Sequence, residues 1–258
     1  MIAQFVLRLA VGMSLTWCIM PRSLVTAGFF RIQMLVALGL CVLAALTISQ
    51  ATAAGQDAAT FGASQLRWFC GIAAICAYGG SVFWMLARRR TGTILGGCVT
   101  ALTTAALVGL LPLTNPEGNH ARVWLAVLSE LSSAWLVGGA TTAMLLGHWY
   151  LTATQMSLTP LLRLNIYLAA AALTRGCLAG ASLAMIPELP GDRTQIVWLI
   201  LRWSAGIAGP LVMSLLVVRI LRYRNTQSAT GVLFAGVILA FIGETAAALL
   251  YRELGWPL

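Results

Sequence analysis

The chain has 258 residues, of which 60% are hydrophobic and only 9% are charged, and its formal net charge is +9. Soluble domains carry about 25% charged residues, so this composition excludes a water-soluble globular protein and favours a lipid bilayer as the solvent. The positive charge indicates membrane topology rather than nucleic-acid binding. The arginines lie in short clusters between apolar runs and form no basic face interleaved with aromatic residues.

Eight apolar runs are long enough to cross a membrane, which predicts an all-α integral membrane protein with eight transmembrane helices. In chain order the predicted spans are 4–20, 29–49, 68–87, 93–113, 122–147, 163–186, 195–221 and 228–251. The first run is short and could instead be a signal peptide, with Arg8 as its positive region. Arg8 lies within the run and no clear small-residue cleavage site precedes Pro21, so we favour a span.

The arginines also predict the orientation of the helices. The odd-numbered loops contain or border Arg22, Arg31, Arg88, Arg89, Arg90, Arg163, Arg219, Arg222 and Arg224. The even-numbered loops carry fewer arginines and contain the acidic residues Asp57, Glu117, Glu188 and Asp192. The positive-inside rule therefore places the odd loops in the cytoplasm and both termini outside, as in a bacterial cytoplasmic (inner) membrane. No long soluble domain is present, so any soluble chemistry must come from partner subunits.

Four pairs of similar segments recur in the same order, at offsets of 132 to 139 residues. The pairs are SLTWCIMPRSL (14–24) with LLGHWYLTATQMSL (145–158), FFRIQ (29–33) with LLRLN (161–165), LRWFCGIA (66–73) with LRWSAGIA (201–208), and TGTILGG (91–97) with TGVLFAG (230–236). This order predicts a tandem duplication, with a first four-helix unit over 1–113 and a second over 114–258. Each unit holds an even number of spans, so the two should lie parallel in the membrane, not inverted.

No haem or metal is expected. The six cysteines lie within predicted spans and form no CxxC pair, which leaves a zinc or iron–sulfur site unsupported. The two histidines, His120 and His148, flank one predicted helix and would be about 40 Å apart at ~1.5 Å per residue. They cannot share a haem, which excludes a self-contained bis-histidine cytochrome.

Five ionisable residues lie within predicted spans, where each costs at least ~2.5–3.5 kcal/mol unless it is paired or lines a cavity. They are Arg8, Glu130, Arg175, Arg202 and Glu244. Helix rise places Arg175 near mid-membrane and the other four in one layer, about 10–12 Å below the outer surface. We predict that Glu130, Arg202 and Glu244 converge in the core of the second unit, with at least one carboxylate–arginine contact. Two interpretations remain: an ion-pair network that fixes helix register, or a pocket in which a carboxylate exchanges protons and an arginine holds a carbonyl oxygen.

A second candidate site lies where the fifth predicted span ends and the sixth begins. Its residues are His148, Trp149, Tyr150, Asn165 and Tyr167. The two aromatic residues of the fifth span are typical of an aromatic belt, and Trp149 aligns with Trp17 in the first half as a similar anchor. His148 could titrate near the head groups. This cluster also offers the donors, aromatic wall and proton route that a quinone ring needs.

The seventh span contains Pro210 directly after Gly-Ile-Ala-Gly at 206–209. Glycine with proline can kink a helix and free main-chain carbonyls, and small residues also let helices approach closely. We favour close packing over a gating hinge for this segment.

Eight spans in two parallel four-helix units, without haem ligands and with a buried carboxylate–arginine layer, resemble the membrane anchors of molybdopterin oxidoreductases. These are the polysulfide-reductase (NrfD-like) and dimethyl-sulfoxide-reductase anchor families. The resemblance implies a subunit that binds a quinone, menaquinone or ubiquinone, within one bundle. It also implies electron transfer to an iron–sulfur partner subunit outside the membrane. Glu130, Arg202 and Glu244 would then line the quinone pocket.

Two other classes of function remain open. Parallel repeats occur in transporters, so the chain could carry a small solute or an ion at a site between its halves. It could also be an accessory or assembly subunit without a ligand. Quinone that copurifies with the protein would favour the quinone-binding anchor, and solute flux in liposomes would favour the transporter. If neither is found, the accessory subunit is favoured.

Overall fold

The computed structural model describes residues 2–53, 60–112, 120–153, 156–186 and 191–258, with only the main chain for 49–53. Its helices are α1 (Ile2–Ile19), α2 (Ala27–Ala53), α3 (Ala63–Met85), α4 (Arg89–Gly109), α5 (His120–Thr152), α6 (Thr159–Met185), α7 (Arg193–Trp203), α8 (Gly209–Arg222) and α9 (Thr226–Leu254). A π-helical turn, Ser204–Ala208, joins α7 to α8. The described residues contain no strand.

The prediction of an all-α integral membrane protein is confirmed. Within the described ranges, eight helical stretches are long and apolar enough to cross a membrane, and α7, the π-helical turn and α8 together form one of them, Arg193–Arg222. Large apolar side chains face outward along these helices, as lipid requires: Trp68 and Ile75 are 70% and 72% exposed. Three acidic residues used for the predicted orientation, Asp57, Glu117 and Glu188, lie outside the described residues.

Contacts divide the chain into two compact units, Met1–Glu130 and Leu131–Leu258, and the division falls within α5. In the first unit α1 packs against α2 and α4, and α3 packs against the same two helices. Small residues allow this close packing. A Cβ atom on Gly80 of α3 would lie 3.0 Å from the sulfur of Met34, and one on Gly96 of α4 would lie 3.0 Å from Cε of the same side chain. Met34 of α2 thus fills the space that glycines leave on two neighbouring helices.

In the second unit α9 contacts α7, the π-helical turn and α8, and α6 contacts the turn and α8. The second part of α5 also meets α9, where a Cβ atom on Gly147 would lie 2.8 Å from Oγ1 of Thr230. Side-chain caps define the starts of two helices. Asp192 accepts a hydrogen bond from the Thr194 N–H, and Asn225 accepts one from the Ser228 N–H. The predicted duplication of the two units stays a prediction.

Candidate functional site

Glu244 of α9 lies at the centre of a buried cluster in the second unit and is 1% exposed. Its Oε1 accepts hydrogen bonds from Nη1 of Arg202, at 2.8 Å, and from Nε of Arg175, at 3.3 Å. Its Oε2 accepts a hydrogen bond from the Ser133 hydroxyl. We call these four residues the Glu244 cluster. Its members come from α5, α6, α7 and α9, so one carboxylate links four helices.

The three charged residues of the cluster lie at similar depth. Arg175 and Glu244 each precede the end of their helix by ten residues, which is about 15 Å. Arg202 follows the start of α7 by nine residues, about 14 Å. Arg175, which we placed nearer mid-membrane than the others, therefore belongs to the same layer as Glu244. The contact between them shows this directly.

Arg202 is completely buried, yet only part of its guanidinium group is satisfied. Nη1 donates to Glu244, whereas Nε and Nη2 have no hydrogen-bond partner among the described residues. A buried donor without an acceptor costs about 1–3 kcal/mol, so such groups usually have a partner outside the protein or a special role. Nε and Nη2 of Arg202 are therefore the two donors of the Glu244 cluster without a hydrogen-bond partner among the described residues.

The π-helical turn holds Arg202 beside Glu244. A Cβ atom on Gly206 would lie 2.8 Å from Cα of Gly243 and 2.9 Å from Nη1 of Arg202. The main chains of the turn and of α9 are thus in direct contact one residue before Glu244. Pro210, in the first turn of α8, has no N–H to bond the carbonyl of Gly206, which favours a break in the α-helical ladder at this point. The close packing that we predicted for this segment is confirmed, and π-helical turns of this kind are frequent at functional sites.

The last residues of the chain reach the same cluster. Gly255 ends α9 with a left-handed φ of 67°, and its N–H bonds to the carbonyl of Tyr251. The chain then turns back, so that the main-chain oxygen of Leu258 accepts a 2.7 Å hydrogen bond from Nη2 of Arg175. The hydroxyl of Ser182 donates to the Pro257 oxygen at 2.6 Å. Sequence reasoning missed this contact, although glycine followed by proline after a helix is a recognisable stop signal.

Glu130 belongs to the first unit and has different partners from those we expected. Nε of Arg8 donates to its Oε2 at 2.7 Å, and Nη2 of the same arginine donates to its Oε1. Nε2 of Gln4 donates to Oε1 as well, at 2.9 Å. The described hydrogen bonds therefore pair Glu130 with α1, while Arg202 and Glu244 pair with each other. Depth counted along a helix does not say toward which neighbour a side chain points.

The second candidate group is divided among separate contacts. The Tyr150 hydroxyl donates to the main-chain oxygen of Ser157. Asn165 and Ser214 each donate a side-chain hydrogen bond to the other's main-chain oxygen, which ties α6 to α8. Oδ1 of Asn165 is buried and has no partner among the described residues. His148 is exposed, and Trp149 and Tyr167 are half-buried. No described hydrogen bond joins these five residues into one site.

Comparisons of this chain with protein-family models, with curated proteins and with solved structures find no match. The Glu244 cluster is therefore interpreted from its own geometry.

Proposed function

We propose that this chain is a membrane subunit of an electron-transfer complex, and that it binds the head group of a quinone or quinol at the Glu244 cluster. The observation that carries the proposal is the pair of donors on Arg202, Nε and Nη2, which are buried and have no partner among the described residues. Quinones are apolar molecules that reach such a depth from the bilayer, and their carbonyl oxygens are hydrogen-bond acceptors.

The residues of the cluster suit this ligand. Arg202 offers donors for a carbonyl oxygen, and a guanidinium stays charged at any physiological pH. Glu244, which already accepts bonds from Ser133, Arg175 and Arg202, is a carboxylate that could take up the proton of a quinol hydroxyl. A bound quinone would supply the redox chemistry, and the protein would supply position, hydrogen bonds and the proton acceptor.

The arginine distribution supports a location in a bacterial cytoplasmic membrane with both termini outside. With this orientation the start of α7 and the ends of α6 and α9 face the exterior, so the Glu244 cluster lies about 15 Å from the outer helix ends. A redox partner subunit would then dock on the outer side. Neither a haem nor an iron–sulfur centre in this chain is part of the proposal.

The test is the quinone content of the purified protein. The wild-type chain is isolated from its native membrane in mild detergent, extracted with organic solvent and assayed for quinone by chromatography. We expect about one quinone per chain, and at least about tenfold less in Arg202→Gln, because the variant loses the donors that hold the carbonyl oxygen. Arg193→Gln, which changes an exposed arginine on the same helix, is the matched control and should keep its quinone.

Ser133→Ala is a milder second variant, in case Arg202→Gln does not fold. It removes one bond to Glu244 and should lower quinone content without removing a charge. Absence of quinone from the wild-type protein, or equal amounts in all variants, would refute the proposal. Solute flux in liposomes by quinone-free protein would favour the transporter instead.

A further inference from the structure

Residues 255–258, which we call the return segment, lie between the ends of two helices and the Glu244 cluster. The main-chain oxygens of Pro257 and Leu258 accept hydrogen bonds from Ser182 and Arg175, which both belong to α6. Pro257 is buried, and Leu258 is only 1% exposed. The return segment therefore leaves α9, crosses to α6 and covers the cluster from the side on which these two helices end.

The cluster is closed to any ligand in this arrangement. Arg202 is completely buried, and Arg175 and Glu244 are 2% and 1% exposed. A quinone ring is too large to pass between side chains that are packed this closely. If it binds to Nε and Nη2 of Arg202, part of the second unit must first open.

The helices around the cluster are packed too closely to provide this opening. A Cβ atom on Gly206 would lie 2.8 Å from Cα of Gly243, so the π-helical turn and α9 are in main-chain contact. Asn165 and Ser214 exchange the hydrogen bonds that tie α6 to α8. The return segment lies outside the helices, and it can move without breaking their main-chain hydrogen bonds.

Gly255 is suited to be the hinge of such a movement. It is exposed and has a left-handed φ of 67°, and glycine changes between left-handed and right-handed conformations at little steric cost. The contacts with α6 are suited to be the latch. Ser182 donates to the Pro257 oxygen at 2.6 Å, and Nη2 of Arg175 donates to the Leu258 oxygen at 2.7 Å. Both bonds end on main-chain oxygens, so they form again whenever the segment returns to this position.

Arg175 connects the latch to the carboxylate of the cluster. Its Nη2 donates to Leu258, and its Nε donates to Oε1 of Glu244 at 3.3 Å. Closure therefore fixes Arg175 against Glu244, whereas opening removes one acceptor from the guanidinium and lets water reach the ion pair. Exclusion of water strengthens the electrostatic interactions of a closed site.

We propose that the return segment is a lid on the Glu244 cluster. It moves about Gly255 to admit a quinone head group, and it closes over the bound ring as the hydrogen bonds from Ser182 and Arg175 form again. This inference rests on the proposed function and adds its control, because the lid sets the rate at which quinone enters and leaves. Segments that close over a ligand often limit exchange in this way.

The test is the rate of quinone release from the full-length protein in detergent micelles. Protein loaded with decylubiquinone is mixed with an excess of deuterated decylubiquinone, and the unlabelled quinone that stays bound is measured over time by mass spectrometry. We expect release about five- to tenfold faster from Ser182→Ala than from the wild type, because the variant loses one hydrogen bond of the latch. Thr245→Ala is the matched control and should release quinone at the wild-type rate. It removes an exposed hydroxyl of α9 that bonds the Phe241 carbonyl of its own helix.

Hydrogen–deuterium exchange distinguishes a lid from a segment that only supports the fold. We expect the amides of Trp256 and Leu258 to exchange more slowly in the quinone-loaded wild-type protein than in the quinone-free protein, because a bound ligand favours the closed lid. A purely structural segment would exchange at the same rate in both samples, and that result would overturn the proposal.

The release experiment separates failure of the lid from failure of the proposed function. If the wild type binds decylubiquinone and Ser182→Ala releases it no faster than Thr245→Ala, the lid is overturned and the proposed function stands. If the wild type neither binds decylubiquinone nor copurifies with quinone, the proposed function is refuted and the lid with it. Should Ser182→Ala not fold, Gly255→Ala takes its place, because a Cβ atom at a φ of 67° disfavours the closed turn. Release at the wild-type rate from that variant would count against the lid.

Discussion

Gly206 and Gly243 are in main-chain contact, and this contact sets the spacing between the π-helical turn and α9. A Cβ atom on Gly206 would come within 2.9 Å of Nη1 of Arg202, the nitrogen that bonds to Glu244. The two glycines and the ion pair are thus one structural unit. Small residues let two helices approach, and the approach allows Arg202 to reach the carboxylate.

Gly243→Ala should therefore destabilise the protein, because the new Cβ atom would overlap the main chain of Gly206. We expect a loss of about 1–3 kcal/mol, as for other overpacked cores, measured by thermal unfolding in detergent micelles. Gly231→Ala is the matched control on the same helix, since a Cβ atom there meets nothing within 4 Å. It should be neutral or raise stability by about 0.5–1 kcal/mol. Equal stability of the two variants would show that the glycine contact is not tight.

Glu244→Gln should cost more stability than Arg202→Gln. The substitution removes the carboxylate charge that forms ion pairs with two buried guanidinium groups, those of Arg175 and Arg202. Breaking a buried ion pair costs ~3–5 kcal/mol. Arg202→Gln leaves Glu244 with Arg175 and Ser133, so we expect about 1–3 kcal/mol. SDS-induced unfolding in mixed micelles measures both.

A turnover assay distinguishes the two interpretations of the Glu244 cluster, a quinone pocket and an ion-pair network that fixes helix register. If Glu244→Gln folds but abolishes quinol-dependent turnover of the assembled complex, the carboxylate is functional. Normal turnover in a destabilised variant would mean that the Glu244 cluster only fixes helix register.

The sequence predicted the number of helices and the buried charges well, because both follow from the cost of placing polar groups in lipid. It could not predict which charges pair. Arg67 and Arg202 occupy matching positions in LRWFCGIA and LRWSAGIA, yet Arg67 is exposed whereas Arg202 is completely buried. Similar local sequence therefore does not determine whether a side chain faces the lipid or the protein interior. The π-helical turn forms only in the second of these segments, where proline follows within the same span.

Variants of Glu130 and Arg8 test which buried charges pair with each other. Glu130→Gln breaks the two-bond contact with Arg8 and should lower stability by about 3 kcal/mol. The double variant Arg8→Gln/Glu130→Gln should lose less than the sum of the single variants, because the contact between the two side chains is counted in both single variants but lost only once. Because the described partners of Glu130 lie in the first unit, the quinone content of these variants should stay normal. A quinone loss equal to that of Arg202→Gln would place Glu130 in the same functional site.

Orientation is testable with introduced cysteines at two exposed positions. Gly191→Cys lies in an even-numbered loop, and Arg90→Cys lies in the first turn of α4, directly after an odd-numbered loop. From the positive-inside rule we expect a membrane-impermeant thiol reagent to label Gly191→Cys in intact cells and Arg90→Cys only after permeabilisation. The parent chain, whose six cysteines are native, gives the background. The reverse labelling pattern would place both termini in the cytoplasm.

Gly255→Ala tests whether the chain after α9 supports the Glu244 cluster. A residue with a Cβ atom at a φ of 67° costs about 1–2 kcal/mol, so the turn that brings Leu258 back to Arg175 should weaken. We expect a lower unfolding temperature and, if Arg175 then shifts away from Glu244, a lower quinone content. Ser182→Ala is the companion variant, because it removes the hydrogen bond to Pro257 without changing the main chain. It should lose about 1 kcal/mol. If both variants unfold like the wild type, the returning segment contributes no stability, and the four helices alone hold Arg175 against Glu244.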